Sequence, residues 1–216
     1  GRVDLEAHHK LRSAQGAAGC IIDCENAARA VTFQTSEPAA AILDGLTIRN
    51  GRAGQGGAVY CSNNTSPIIR NCVFTANAAT DVYGGGALFC HAAVPTVEHC
   101  TFTANQATNQ GGAVSAFYSS NIHFTDCYFT ENYTPSFGSA LVSYDGSVTL
   151  TNCQVHGNHA GGSAVIVIGG SGTLTDCSIT DNTNQPNYGS STGVYFETGA
   201  AVTVQRCTFS GNHGGY

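Results

Sequence analysis

The sequence predicts an all-β chain, a right-handed parallel β-helix (β-solenoid) of about seven coils of roughly 27 residues, with three short strands per coil. Three observations carry that expectation. A segment that opens on Cys and closes on Asn recurs as CVFTAN (Cys72 to Asn77), CTFTAN (Cys100 to Asn105), CYFTEN (Cys127 to Asn132), CQVHGN (Cys153 to Asn158), CSITDN (Cys177 to Asn182) and CTFSGN (Cys207 to Asn212). A small-residue strand entry alternates with it: GGAVYC from Gly56, GGALFC from Gly85, GGAVSA from Gly111, GSALVS from Gly138, GSAVIV from Gly162 and TGVYF from Thr192. Between them the apolar residues alternate with period two and never fall at helical spacing, the pattern of a strand with one buried face.

In chain order, residues 1–20, with the charged stretch from Asp4 to Arg12, do not fit the repeat and are expected to form an N-terminal cap or leader. Residues 21–216 are expected to be a single parallel β-helix domain. Ile21-Ile22-Asp23-Cys24 reads as the end of a coil and Ala30-Val31-Thr32-Phe33 as the next strand entry. Leu43, Leu46 and Ile48 before Asn50 match the later coils shifted by one residue, with Asp44-Gly45 as the corner. From Gly56 onward each coil repeats strand, bend, strand, turn. The bends are polar pairs: Arg70-Asn71, Glu98-His99, Thr125-Asp126, Thr151-Asn152, Thr175-Asp176 and Gln205-Arg206. His213-Gly214-Gly215-Tyr216 resembles the start of another coil cut short, so a longer parent protein is expected.

Composition narrows the function classes. Charged residues make up 10% of the 216, the net charge is −6, and no Lys/Arg cluster stands ready to neutralise phosphates, so a nucleic-acid partner is not expected. No apolar run is long enough for a transmembrane segment. Ten Cys against eight Lys/Arg lean towards an extracellular or cell-surface location.

The pairing of GGA(V/L) with FxxN resembles the repeats of the polymorphic outer-membrane protein family of bacterial surface autotransporters, and more broadly the pectate-lyase-like right-handed β-helix superfamily. The resemblance covers Gly56 to Asn212 and extends in degenerate form over Ile21 to Asn50. It implies a secreted or surface-displayed passenger, often adhesive. The 216 residues include no stretch matching the C-terminal barrel of such autotransporters.

Stacking turns each repeated position into a column. The column Asn77, Asn105, Asn132, Asn158, Asn182 and Asn212 is expected at a sharp turn, where Asn tolerates left-handed backbone and stacked amides bond from coil to coil. Cys72, Cys100, Cys127, Cys153, Cys177 and Cys207 are expected to be inward free thiols that pack as small hydrophobes, an arrangement that cannot converge four ligands on a metal. No metal or cofactor is expected. Tyr60, Phe89, Ser115, Val142, Ile166 and Tyr195 point away from the core by their phase and form a candidate interaction face of exposed apolar residues. Sequons mark Asn63, Asn64 and Asn132 as candidate glycosylation sites.

No catalytic residue stands out. Asp126 and Asp176 share a column two coils apart with no basic partner expected beside them, and His99, His123, His156 and His159 appear without a carboxylate in register. The expected function is therefore a secreted or surface structural or adhesive solenoid, self-associating head to tail through its strand edges or part of a longer surface protein. The alternative is a carbohydrate-binding module or a polysaccharide lyase or hydrolase, with a glycan or cell-surface ligand as partner.

Overall fold

A computed structural model of the chain describes residues 3–4, 10–34, 41–185, 193–197 and 199–214. Thr192 of the last strand entry and Gly215-Tyr216 of the expected further coil lie outside the described residues.

Short parallel strands stack into three eight-stranded sheets and two smaller ones. The first sheet runs from Val3–Asp4 through Val59–Ser62 to Val194–Phe196; the second from Lys10–Arg12 through Ile68–Arg70 to Ala201–Gln205; the third from Ile21–Asp23 through Val73–Thr75 to Thr208–Ser210. Two-residue strands after the third sheet, such as Ala78–Ala79 and Gln106–Ala107, form the beginnings of a fourth side. Register is kept throughout: Val73 lies over Thr47 and under Thr101, Phe74 over Ile48 and under Phe102. Within the expected N-terminal cap or leader, Val3–Asp4 pairs in parallel with Val31–Phe33 and Lys10–Arg12 with Ile42–Asp44, adding strands to the same sheets.

One continuous core fills the coils, built from columns such as Val59, Leu88, Val114, Leu141 and Val165, or Ile69, Val97, Phe124, Leu150 and Leu174. The rings of Phe74, Phe102 and Phe129 stack at 4.9 Å centroid separation, one per coil. Parallel in-register stacking brings identical positions together, so a flat ring meets its like at van der Waals distance.

The GGA signature has a geometric cause. Gly56, Gly85, Gly111 and Gly138 take φ of 57°, 73°, 61° and 67°, a left-handed backbone that opens each return to the first sheet. The second glycine answers to a different constraint: a Cβ on Gly57 would stand 2.3 Å from the Gly86 carbonyl oxygen, and one on Gly86 2.1 Å from that of Gly112. Ala58, Ala87 and Ala113 then drop into the core.

The bends between second and third sheets also use left-handed backbone. Asn71, His99, Asp126, Asn152, Asp176 and Arg206 all have φ between 50° and 56°. Asn and Asp adopt that conformation readily; His99 and Arg206 do so because stacked neighbours above and below dictate the corner.

Candidate functional site: ladders, an open end and a side groove

The Asn column lies inside the turn, buried from Asn77 to Asn182 and half-buried at Asn212, and it forms the stacked amides expected of it, but the left-handed backbone expected of it belongs to its neighbour. The left-handed residue is the one before each Asn: Ala76, Ala104, Glu131, Gly157, Asp181 and Gly211. The Asn is selected for its side chain. Asn77 Nδ2 donates to Asn105 Oδ1 at 3.0 Å and to the Ile48 carbonyl at 3.0 Å, while the Asn77 backbone N–H donates to the same Asn105 Oδ1 at 3.1 Å. This unit repeats through Asn132, Asn158 and Asn182 to Asn212. At the other end the ladder stops at Gly51, whose N–H donates to Asn77 Oδ1 at 2.8 Å; Asn50 is the left-handed residue of that coil, which explains its one-residue shift.

The cysteines are free thiols, buried from Cys72 to Cys177 and half-buried at Cys207. Each thiol of the column donates to the carbonyl two residues earlier, as Cys100 does to Glu98 at 3.2 Å, and those from Cys72 to Cys177 also reach a carbonyl of the preceding coil. Contact with the Cys72 thiol adds to the burial that pushes the Cys100 thiol up well above its ordinary pKa. Among the described residues no group of three or more His, Cys, Asp or Glu is placed to hold a metal ion.

Two expectations about surface sites are corrected. The column of Tyr60, Phe89, Ser115, Val142, Ile166 and Tyr195 does face away from the main core, but most of it is not exposed. Phe89, Val142 and Ile166 form a second apolar cluster with Phe117, against which Tyr60, Phe137, Tyr144 and Ile168 pack. Tyr83 and Phe137, from the segments returning to the first sheet, help cover it: the Tyr83 ring meets Phe117 edge-on at 4.9 Å. Only Tyr195, in the last coil, stays 44% exposed. The sequon at Asn132 is likewise closed, because its side chain is a rung of the ladder with 0% exposure. Asn63 and Asn64 are exposed and remain open to modification.

The corners carry charge pairs that spacing alone did not reveal. Arg206 grips Asp176 with both nitrogens, at 2.6 and 2.7 Å, giving Asp176 the basic partner it was expected to lack. That hydrogen-bonded guanidinium holds the Asp176 carboxyl below the usual carboxylate range. His99 stands 3.5 Å from Asp126 and His156 3.4 Å from Asp181, so two histidines do have carboxylates in the next coil. Asp44 accepts from Asn71 at 2.9 Å and Arg70 at 3.0 Å, and the Asn71 amide is the main cause of its lowered pKa. All are contacts between neighbouring coils at exposed or half-exposed corners. They register one coil on the next.

The last coil is different from the rest. Val202, Val204 and Phe209 are 39%, 44% and 47% exposed, whereas their column neighbours one and two coils earlier, Val148, Leu174, Leu150, Ile179 and Val155, are at most 1% exposed. All three side chains belong to the last described coil, on which no further described coil stacks. At the N-terminal end a depression of about 290 Å³ is lined by Ile22, Asp23, Cys24, Glu25, Ala27, Ala28 and Arg29.

On the fourth side a groove of about 280 Å³ has a floor of Ala78, Ala79 and Ala107 and walls from Arg52, Thr80, Gln106, Thr108, Tyr133 and Pro135. Among the described residues Arg52 has no carboxylate partner, unlike Arg12, Arg49, Arg70 and Arg206. Sequence reading missed this groove, since its residues occupy the turn segments between the two motifs.

No helix of the described residues is long and apolar enough to cross a membrane. No curated protein and no solved structure matches the chain. A family model described as the right-handed beta helix region matches residues 8–172 and again 138–216, which spans the whole stack of coils. With its three parallel sheets, its in-register columns and that match, the chain belongs to the right-handed β-helix family.

Proposed function

We propose that this chain is a structural β-solenoid, secreted or displayed at a cell surface, that self-associates by stacking the end of one molecule on the next. The observation that carries this reading is the uninterrupted in-register stacking of parallel strands into three eight-stranded sheets, an architecture of long flat faces built by adding like to like. The alternation of GGA(V/L) with FxxN supports reading the repeats as the polymorphic outer-membrane protein type, whose members are surface passengers with adhesive roles. Sedimentation velocity and electron microscopy test the proposal: particles should lengthen as concentration rises, with β-structure unchanged. A chain that stays monomeric at high concentration overturns it.

The side groove favours a second reading, a carbohydrate-binding surface. The Tyr133 ring offers a flat apolar face, 38% exposed, and Arg52, Gln106, Thr80 and Thr108 supply donors and acceptors around it, a mix suited to the polar rim and apolar face of a sugar. The guanidinium of Arg52, which has no carboxylate partner among the described residues, adds a preference for a carboxylate on that sugar. In a panel of neutral and acidic oligosaccharides, acidic ones should bind and Arg52→Ala should lose that preference. Absence of binding to any member removes the reading, and release of shorter fragments would move the chain into the polysaccharide-degrading class.

A further inference from the structure

Four cysteines join the same two coils. Strand Val59–Ser62 lies in register with Leu88–His91, which sets Cys61 against Cys90. Strand Val73–Thr75 lies in register with Thr101–Thr103, which sets Cys72, one residue before the first, against Cys100, one residue before the second. All four are buried. The second pair differs from the rest of its column. Cys100, Cys127 and Cys153 each have a cysteine in the coil before and in the coil after. Cys72 has one only, because the preceding coil puts Leu46 in that column. It therefore meets an apolar side chain on one side and a single thiol on the other. It also follows directly after the Arg70-Asn71 bend, where Asn71 is exposed.

The surroundings separate the two thiols of this pair. A hydrogen bond from the Cys100 thiol, aided by the Leu46 and Gly45 backbone N–H groups, holds the Cys72 thiol below its ordinary pKa, although burial and Asp44 pull it the other way. Burial pushes the Cys100 thiol well up, and the Cys90 thiol likewise. Contact with Cys127 raises Cys153, and contact with Cys153 raises Cys177. A thiolate is the nucleophile in thiol oxidation, and a neighbouring thiol resolves its product into a disulfide. We propose that Cys72 and Cys100 form a peroxide-sensitive dithiol, in which Cys72 attacks the oxidant and Cys100 closes a disulfide that ties the two coils together. In the first step a bond forms from the Cys72 sulfur to one oxygen of hydrogen peroxide as the O–O bond breaks, giving a sulfenic acid and one water. In the second the Cys100 sulfur attacks the Cys72 sulfur, the S–O bond breaks, and the hydroxyl leaves with the Cys100 proton as a second water. The two sulfurs together give up two electrons, and the two peroxide oxygens take them. Coil spacing of about 4.8 Å falls within the Cα separations that a disulfide spans. Hydrogen peroxide is little larger than water, and local opening at the exposed Asn71 corner admits it.

The whole chain, folded and reduced, is treated with hydrogen peroxide, quenched at intervals, unfolded and alkylated, and its peptides are read by mass spectrometry. Of the seven buried thiols, Cys72 and Cys100 should be lost first and together, as a linked peptide pair two hydrogens lighter than its parts. Cys61, Cys90, Cys127, Cys153 and Cys177 should still take the alkyl label at that point. Cys100→Ser should halt the reaction at the Cys72 sulfenic acid, trapped as its dimedone adduct. Cys72→Ser should slow oxidation of Cys100 about ten-fold or more, since the thiolate is gone. Cys61→Ser should leave the Cys72–Cys100 product and its rate unchanged. The peptide map of the unaltered chain gives the answer even where a variant does not fold. Three results would each overturn the proposal: another pair of buried thiols bonding first, Cys72 passing on to sulfinic acid while Cys100 stays reduced, or all seven buried thiols surviving the oxidant.

Discussion

Asn105→Ala is expected to destabilise the stack by about 3–5 kcal/mol, far more than a typical polar-to-Ala change. The substitution removes the only side-chain acceptor shown for the Asn77 backbone N–H, takes one of two partners from Asn77 Nδ2, and takes the Nδ2 donor from the Phe74 carbonyl. All of these groups are buried, where each orphaned donor or acceptor costs about 1–3 kcal/mol. Thr103→Ala, on the outer face of the same coil, should change stability by no more than about 0.5 kcal/mol. Urea unfolding followed by circular dichroism measures both. If the two variants unfold at the same midpoint, the ladder is ornamental to stability.

Phe102→Ala should have a comparable effect through a different cause, about 3–5 kcal/mol, from lost burial and the cavity left behind. Its ring lies between those of Phe74 and Phe129 and meets Phe124 edge-on at 6.1 Å. Neighbouring coils cannot collapse into the space, because the glycine and asparagine columns hold their backbones at fixed separation. Phe102→Leu, which keeps most of the volume, should cost under about 1.5 kcal/mol. Hydrogen exchange adds a spatial check: protection should fall first in the coils that contain Phe74, Phe102 and Phe129, since each coil contacts only its neighbours. Equal loss over all coils would mean that the stack unfolds as one unit.

The period of the sequence made the fold legible because stacking forces chemically like residues into columns, and columns are visible as repeats. Val59 and Cys61 point inward and Tyr60 outward, as alternation predicts. What alternation does not encode is whether an outward residue meets water. Phe89 and Val142 were covered by Tyr83, Phe137 and other residues of the returning segments, whose lengths vary from coil to coil and carry no periodic signal. The Asn column was legible both in position and as a ladder of stacked amides; what the sequence did not separate was the left-handed site, which falls one residue earlier, at Ala76 or Glu131. Ion pairs such as Arg206 with Asp176 were missed because a column reading compares like with like, whereas these pairs join unlike residues in adjacent coils. The groove by Arg52 falls in the same aperiodic segments.

Every strand in the three large sheets bonds only to the strands directly above and below it, and those bonds point along the stacking axis. A tug on the two termini therefore strains a single layer of contacts at a time. The molecule should yield like a coiled spring shedding turns from its tip, with each turn that lets go lengthening the tether while the remainder keeps its shape. Such a material absorbs repeated small jolts without failing as a whole, a useful property for anything that must hold on under shear.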